Sequence, residues 1–179
     1  MDFFNLIEQR RSIRKYKNQP VEPEKVDKIV EAALRAPSSR NLQPSEFIVV
    51  TEQVIITRLA QARPHGSTFL RKAPAAIVAC ADPEKCDVWI ENASIAATYI
   101  FLAAEALGLG CCWIQIRERI HNEQKTAEEF VREVLNIPNS LKVEAIIAFG
   151  YPDEHKPGHA REELPFAKVF TNAYGVRTD

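Results

Sequence analysis

Residues 89–107 are apolar on nearly every face, and that pattern constrains the fold more than any other feature of this 179-residue chain. A surface helix hides one stripe, whereas a helix apolar all round must be surrounded by protein. Ser94, Thr98 and Glu105 interrupt the run, and it is short of the ~20 apolar residues that a membrane span needs. It is expected to be a buried central helix, with every other element packed around it.

The flanking elements alternate in type. Asp2 ahead of Phe3, Phe4 and Ile7 predicts a short, Asp-capped first helix whose C-terminal end is basic. Pro23 suits a first helical position, and Val26, Ile29, Val30 and Ala33 share one face until Pro37 stops the helix. Residues 54–60 read as helical, and a further helix opens at Thr126, where Thr126-Ala127-Glu128-Glu129 matches a capping box. Residues 47–50, 75–80, 111–116 and 145–149 read as strands. Gly108 and Gly110 are expected to end the central helix through left-handed conformations. Strands alternating with helices, taken alone, suggest a doubly wound parallel sheet. Residues 151–179 carry no periodic element, yet Phe166, Val169, Phe170 and Tyr174 need cover.

Length points to one domain spanning residues 1–179, large enough to bury its own core. Hydrophobic content of 46% and charged content of 26% exclude disordered and fibrous classes. A net charge of −1 gives no general pull toward nucleic acid or anionic lipid. No basic segment followed by an apolar run opens the sequence, so a cytoplasmic location is expected. Cys80, Cys86, Cys111 and Cys112 lack metal-ligand spacing and read as small core residues.

Two polar clusters carry the chemistry. Arg10, Arg11, Ser12 and Arg14 set three guanidiniums and a hydroxyl within five positions, and guanidinium matches the oxygens of a phosphate through paired donors. Pro37, Ser38, Ser39, Asn41 and Gln43 form a proline-bounded polar loop whose donors and acceptors can read the edge of a planar heterocycle. Together they describe a nucleotide-like cofactor. The residues alone leave a plainer reading open: a solvated basic helix end that complements the helix dipole, and an ordinary polar turn. Other sites fail on spacing. Gly108-Leu109-Gly110 follows a helix and has Trp113 at the third glycine position, so it is no dinucleotide loop. No GxSxG elbow occurs, and Pro157 and Gly158 keep His155 and His159 off one helical face.

The chain resembles the flavin-dependent nitroreductase family. The matching pieces are RRSIRKY from Arg10, APSSRNLQP from Ala36, WIENASIAATYIFLAAEALGLGCCW from Trp89, IPNSLKVEAIIAFGYP from Ile137 and a tail beginning near Arg161. The resemblance implies an α+β fold, with a mixed, mostly antiparallel sheet around the central helix in place of a parallel one. It also implies an intertwined homodimer with FMN at the interface and residues 151–179 extended over the partner subunit. It assigns Arg10, Arg11, Ser12 and Arg14 to the phosphate and ribityl side of FMN, and Arg161 to a further phosphate contact. Pro37, Ser38, Ser39, Asn41 and Gln43 would reach the ring from the other subunit, with Trp113, Ile114 and Gln115 on the ring's other side. The implied activity is hydride transfer from NAD(P)H through FMN to a nitroaromatic, quinone or similar acceptor, without a catalytic acid–base side chain. The competing reading is a non-catalytic FMN-binding or interaction module.

Overall fold

A computed structural model of the chain describes residues 2–177. In chain order it contains helix α1 (Phe3–Gln9), helix α2 (Pro23–Leu34), strand β1 (Ser45–Val50), helix α3 (Gln53–Leu59) and strand β2 (Ala75–Ala81). Helix α4 (Trp89–Ala106), strand β3 (Gly110–Gln115), the short strands β4 (Ile120–Asn122) and β5 (Lys125–Thr126), helix α5 (Ala127–Leu135) and strand β6 (Lys142–Gly150) follow. Sequence chemistry accounts for several boundaries. Pro23 occupies the first turn of α2, and Thr126 and Glu129 close a full capping box on α5. Asp2 stands at the N-cap of α1 but makes no side-chain cap bond.

Strands β1, β2, β6 and β3 form a four-stranded sheet in that order, with every ladder antiparallel. Parallel pairing among the described residues is confined to one isolated bridge, Ser12 to Cys111. The alternation of strands and helices nevertheless left a mark. Since β2 and β3 both run opposite to β6, they are parallel in direction, and α4 is their crossover; β6 returns last and pairs between them. The sequence pattern reports direction, and pairing is decided by that late insertion.

Strands β2 and β6 are buried nearly throughout because both faces are covered. One apolar cluster, including Ile56, Leu70, Ile114 and Val131, lies on the α3 and α5 side; the other, including Ile29, Ile77, Ile100 and Phe149, lies on the α2 and α4 side. Helix α4 presents Ala93, Ala96, Ala97 and Ala104 inward, and these small side chains let it lie close to the sheet. Its cover within one chain is incomplete, since Ile95 and Tyr99 are exposed.

Gly108 ends α4 in the left-handed conformation at φ 74°, with the Leu109 N–H donating to Ala104 O at 2.9 Å. Gly110 is not left-handed, which corrects the expectation for it. Its constraint is space: a Cβ there would lie 2.7 Å from the Cβ of Ile13. The four cysteines are buried free thiols. Burial pushes the Cys80 thiol up to about 12 and raises Cys111 and Cys112 as well, so none is a ready nucleophile. No helix among the described residues is long and apolar enough to cross a membrane.

Candidate cofactor site

The basic cluster follows α1 as an extended segment clamped between two others. The Ile13 N–H donates to Cys111 O at 2.9 Å on one side. On the other, Lys156 Nζ donates to Ser12 O at 2.7 Å and the Glu154 carboxylate accepts from the Arg14 N–H at 2.6 Å. Arg11 donates to Pro157 O, and the buried Tyr16 hydroxyl donates to Ile13 O at 2.6 Å. Backbone is thus fixed at both edges, while the guanidiniums of Arg10 and Arg14 make no hydrogen bond among the described residues. Arg10 lies 5.8 Å from the Phe101 ring centre and Arg14 5.8 Å from that of Phe69. None of Arg10, Arg11 and Arg14 forms an ion pair among the described residues. The Arg14 N–H, with Lys156 beside it, holds the Glu154 carboxyl below its ordinary value.

Glu154 and Lys156 belong to a strap, residues 152–158, that returns along this segment. It borders a cleft of about 460 Å³ also lined by Arg11, Ile13, Glu105 and Gly110. Sequence reasoning treated the strap only as part of a featureless tail.

The polar loop lies elsewhere. Pro37, Ser38 and Gln43 line a second cleft of about 340 Å³ with Asn92 and Ala96. Ser38 Oγ accepts from the Gln43 N–H at 3.0 Å, and the Ser39 N–H donates to Asn92 Oδ1 at 2.9 Å. Arg40, Asn41 and Gln43 all have left-handed backbone, with φ of 52°, 55° and 46°. Such residues cost free energy unless their surroundings enforce them, and they gather at functional sites. Here Asn92 from α4 and an ion pair between Arg40 and Asp87 do the enforcing. Ala96 lines the second cleft and Glu105 the first. Nine residues of helix separate them, about 14 Å, so one chain does not bring the two clusters together.

Strand β3 supplies the third predicted group. It is an edge strand, and its odd-numbered residues turn their main-chain groups away from β6, as the bond from Ile13 to Cys111 O shows. By the two-residue alternation, the N–H groups of Trp113 and Gln115 face the open edge. Ile114 differs: its side chain is 1% exposed, in the core. Trp113 Nε1 donates to Gln115 Oε1 at 2.8 Å, and Gln115 Nε2 donates to the Glu144 carboxylate at 3.0 Å. Glu144 was not anticipated, although it is an acid inside the apolar strand Val143–Phe149, which was a readable signal. Arg161 is exposed, stacks 4.9 Å from the Phe166 ring and joins neither cleft.

With this geometry in place, comparison with known proteins adds the family. The nitroreductase family profile matches residues 7–63 and 53–151. The chain belongs to the nitroreductase family. The family is one of oxidoreductases, and several relatives are similar over most of their length. A structure described as an FMN-dependent nitroreductase from Clostridium difficile superposes with a TM-score of 0.94 at 49% identity, covering 96% of this chain and 99% of that one. A protein of Archaeoglobus fulgidus, provisionally named NADH dehydrogenase/NAD(P)H nitroreductase, is 38% identical over 84% of this chain and 86% of its own length. A Thermus thermophilus NADH dehydrogenase is 29% identical over 89% of this chain and 90% of its own.

Proposed function

We propose that this nitroreductase family member is an FMN-dependent oxidoreductase that works as a homodimer, taking a hydride from NADH or NADPH and reducing a nitroaromatic, quinone or similar two-electron acceptor. The observation that carries the reading is the set of three guanidiniums on one extended segment, engaged in no ion pair among the described residues and next to the open edge of β3. Such a surplus suits one terminal phosphate. No glycine-rich loop at a helix N-terminus is present in the sequence for the adenylate half of FAD.

FMN, when bound, supplies the two-electron chemistry between pyridine nucleotide and acceptor. In this reading the protein binds and orients. Arg10, Arg11, Ser12 and Arg14 hold the phosphate and ribityl side, and Arg14 places positive charge where reduced flavin accumulates negative charge. The open N–H groups of Trp113 and Gln115 donate toward the ring edge, and Ile114 contributes backbone stiffness from the core. Pro37, Ser38, Ser39, Asn41 and Gln43 come to the ring from the second subunit. The separation of the two clefts along α4 supports that arrangement, because each half-site lacks what the other presents. The whole chain is then one FMN-binding domain; residues 151–158 stay on their own chain, which narrows the expected partner-covering tail to the part beyond Gly158, with Arg161 reaching the phosphate there. The exposed Ile95 and Tyr99 of α4 and the exposed Leu164, Phe166, Val169 and Tyr174 of the tail are surfaces a partner would cover.

An absorbance spectrum of the purified protein, acid release of its chromophore and anaerobic titration with NADH and NADPH test the reading. The expected result is FMN that bleaches on adding nucleotide. Recovery of FAD, or of no flavin after reconstitution, overturns the cofactor assignment. A yellow protein that no nucleotide bleaches, with or without an added acceptor, is a binding module instead.

A further inference from the structure

The segment that leads from β2 into α4 meets the polar loop and the start of β1 at several points. The Asp82 N–H donates to Pro44 O at 3.0 Å, Lys85 pairs with Glu46 at 3.9 Å, and Asp87 pairs with Arg40. Both ion pairs are exposed, and exposed pairs contribute little.

One contact differs in kind. Asn92, at the start of α4, is 4% exposed, an uncommon place for a side-chain amide. Its two ends are both engaged: Oδ1 accepts from the Ser39 N–H at 2.9 Å, and Nδ2 donates to Cys86 Sγ at 3.2 Å. A backbone N–H can only donate, so Ser39 fixes which way round the amide sits and turns its donor toward the thiol. Cys86 is itself 2% exposed, and its Sγ approaches Asp87 Oδ1 at 4.0 Å. Since Asp87 holds Arg40, the neighbour of Ser39, the contacts close into a ring.

The ring is closed on the stretch of loop that most needs support. Ser39 opens the single turn Ser39–Asn41, in which Arg40 and Asn41 are left-handed. Such a backbone persists only while its surroundings over-determine it. An aspartate at position 92 would accept from Ser39 but offer Sγ no donor, and a leucine would fill the space and do neither. Asparagine does both.

We infer that Asn92, seated on the Cys86 thiol, is a positioning residue that acts through Ser39 to hold the loop in the conformation that meets the flavin ring. The inference rests on the oxidoreductase reading above for what the loop meets.

The test uses the full-length protein as purified and two kinds of readout. Exchange of the Ser39 amide hydrogen, followed by NMR, reports the loop itself. The FMN dissociation constant from fluorescence quenching, with the visible circular dichroism of the bound flavin, reports the ring. The variants are Asn92→Leu, Cys86→Ala and Cys86→Ser, with Ile56→Val, fully buried on the α3 side of the sheet, as a control for lost stability. Asn92→Leu is expected to speed Ser39 exchange and weaken FMN binding, each by roughly tenfold, the scale of one buried hydrogen bond, and to change the flavin dichroism. Cys86→Ala should move the same readouts in the same direction. Cys86→Ser, whose hydroxyl can accept from Nδ2, should restore them, and Ile56→Val should lower the melting temperature without moving them.

Readouts in Asn92→Leu that move no further than in Ile56→Val overturn the inference. Fast Ser39 exchange with unchanged FMN affinity and dichroism overturns it too, as does a Cys86→Ser variant no better than Cys86→Ala. Should Asn92→Leu not fold, the two Cys86 variants carry the same comparison. An unaltered protein that binds no flavin is the failure of the oxidoreductase reading, and Ser39 exchange then still upholds or overturns the hold of Asn92 on the loop.

Discussion

The side-chain amide of Gln115 donates to the Glu144 carboxylate at 3.0 Å, and that contact fixes the open edge of β3 from beneath. Glu144 is 3% exposed and also takes Arg117 Nε at 2.8 Å, while Gln115 holds the Trp113 indole at 2.8 Å. Indole, amide, carboxylate and guanidinium therefore form one polar chain under the strand that the proposed ring would meet. Removing the carboxylate opens a cavity and takes from Arg117 its buried partner, leaving it Glu118 alone, and from Gln115 its shortest acceptor.

Glu144→Ala is accordingly expected to cost about 3 kcal/mol, the usual scale for breaking a buried ion pair from one side. Thermal unfolding measures the loss, and a shifted Trp113 emission, read in a background where Trp89 is replaced by Phe, reports the freed indole. Unchanged stability with unchanged emission would mean that the chain of contacts contributes nothing.

A second expectation concerns the basic cluster. Arg10→Ala and Arg14→Ala should each weaken FMN retention by roughly one to two decades, the equivalent of about 1.5–3 kcal/mol for a charge-assisted contact. Arg11→Ala should weaken it less, because Arg11 already donates to Pro157 O. Flavin fluorescence quenching gives all three constants. Equal affinity in the Arg10 and Arg14 variants would reduce the cluster to a solvated helix end.

Acid should act on the same segment through Glu154, whose carboxyl is held below its ordinary value of 4.5 by the Arg14 N–H and by Lys156. A depressed carboxylate contributes stability that is present above 4.5 and is lost as the pH falls through its folded-state value. Melting temperature should therefore fall on acidification below 4.5 more steeply in the unaltered protein than in Glu154→Gln. Parallel curves for the two proteins would remove Glu154 from the acid limb.

Gly110→Ala tests how tightly the cluster is held. The added methyl would lie 2.7 Å from the Cβ of Ile13, which sits between Ser12 and Arg14 and is itself buried. Overpacking of this kind costs about 1–3 kcal/mol. The expected outcome is a lower melting temperature together with weaker flavin retention, and a variant as stable and as yellow as its parent would show that the segment can shift freely.

The legible and illegible parts of this chain divide by the range of the forces involved. Pro23, the Thr126 and Glu129 box and Gly108 act within a turn of themselves, and each marks an element boundary in the structure. The apolar runs of β2 and β6 announced strands, and the structure buries both faces of each. Pairing order did not follow, because nothing local says that β6 enters between β2 and β3. Gly110 looked like a turn residue, and its real partner, Ile13, lies far away in sequence. The hairpin of β4 and β5 is too short for any period. In the candidate site, the residue types of both clusters were readable, as was the polarity of the loop. The left-handed backbone at Arg40 and Gln43 was not, since neither side chain favours it and the support comes from Asn92 and Asp87.

The strongest consequence lies in the tail. Up to Gly158 it is tied to its own chain, through Glu154, Lys156, Pro157 and the close approach of Gly158 to Glu8 O. Past that point the only regular elements among the described residues are two single-turn helices, Arg161–Glu163 and Phe166–Lys168. Phe166 is 51% exposed, Val169 63% and Tyr174 93%. Burying such side chains fully contributes roughly 1.5–3 kcal/mol each, and a second copy of this chain offers the exposed Ile95 and Tyr99 of α4 as part of a surface for them. Deleting the residues after Arg161 should therefore give monomer or aggregate in sedimentation, and the same preparation should lose flavin, because the loop of one subunit would no longer meet the basic cluster of the other. Loss of flavin from a truncated protein that remains a dimer would place the tail at the cofactor alone. A stable, yellow, truncated dimer would show that these aromatic side chains hold nothing together.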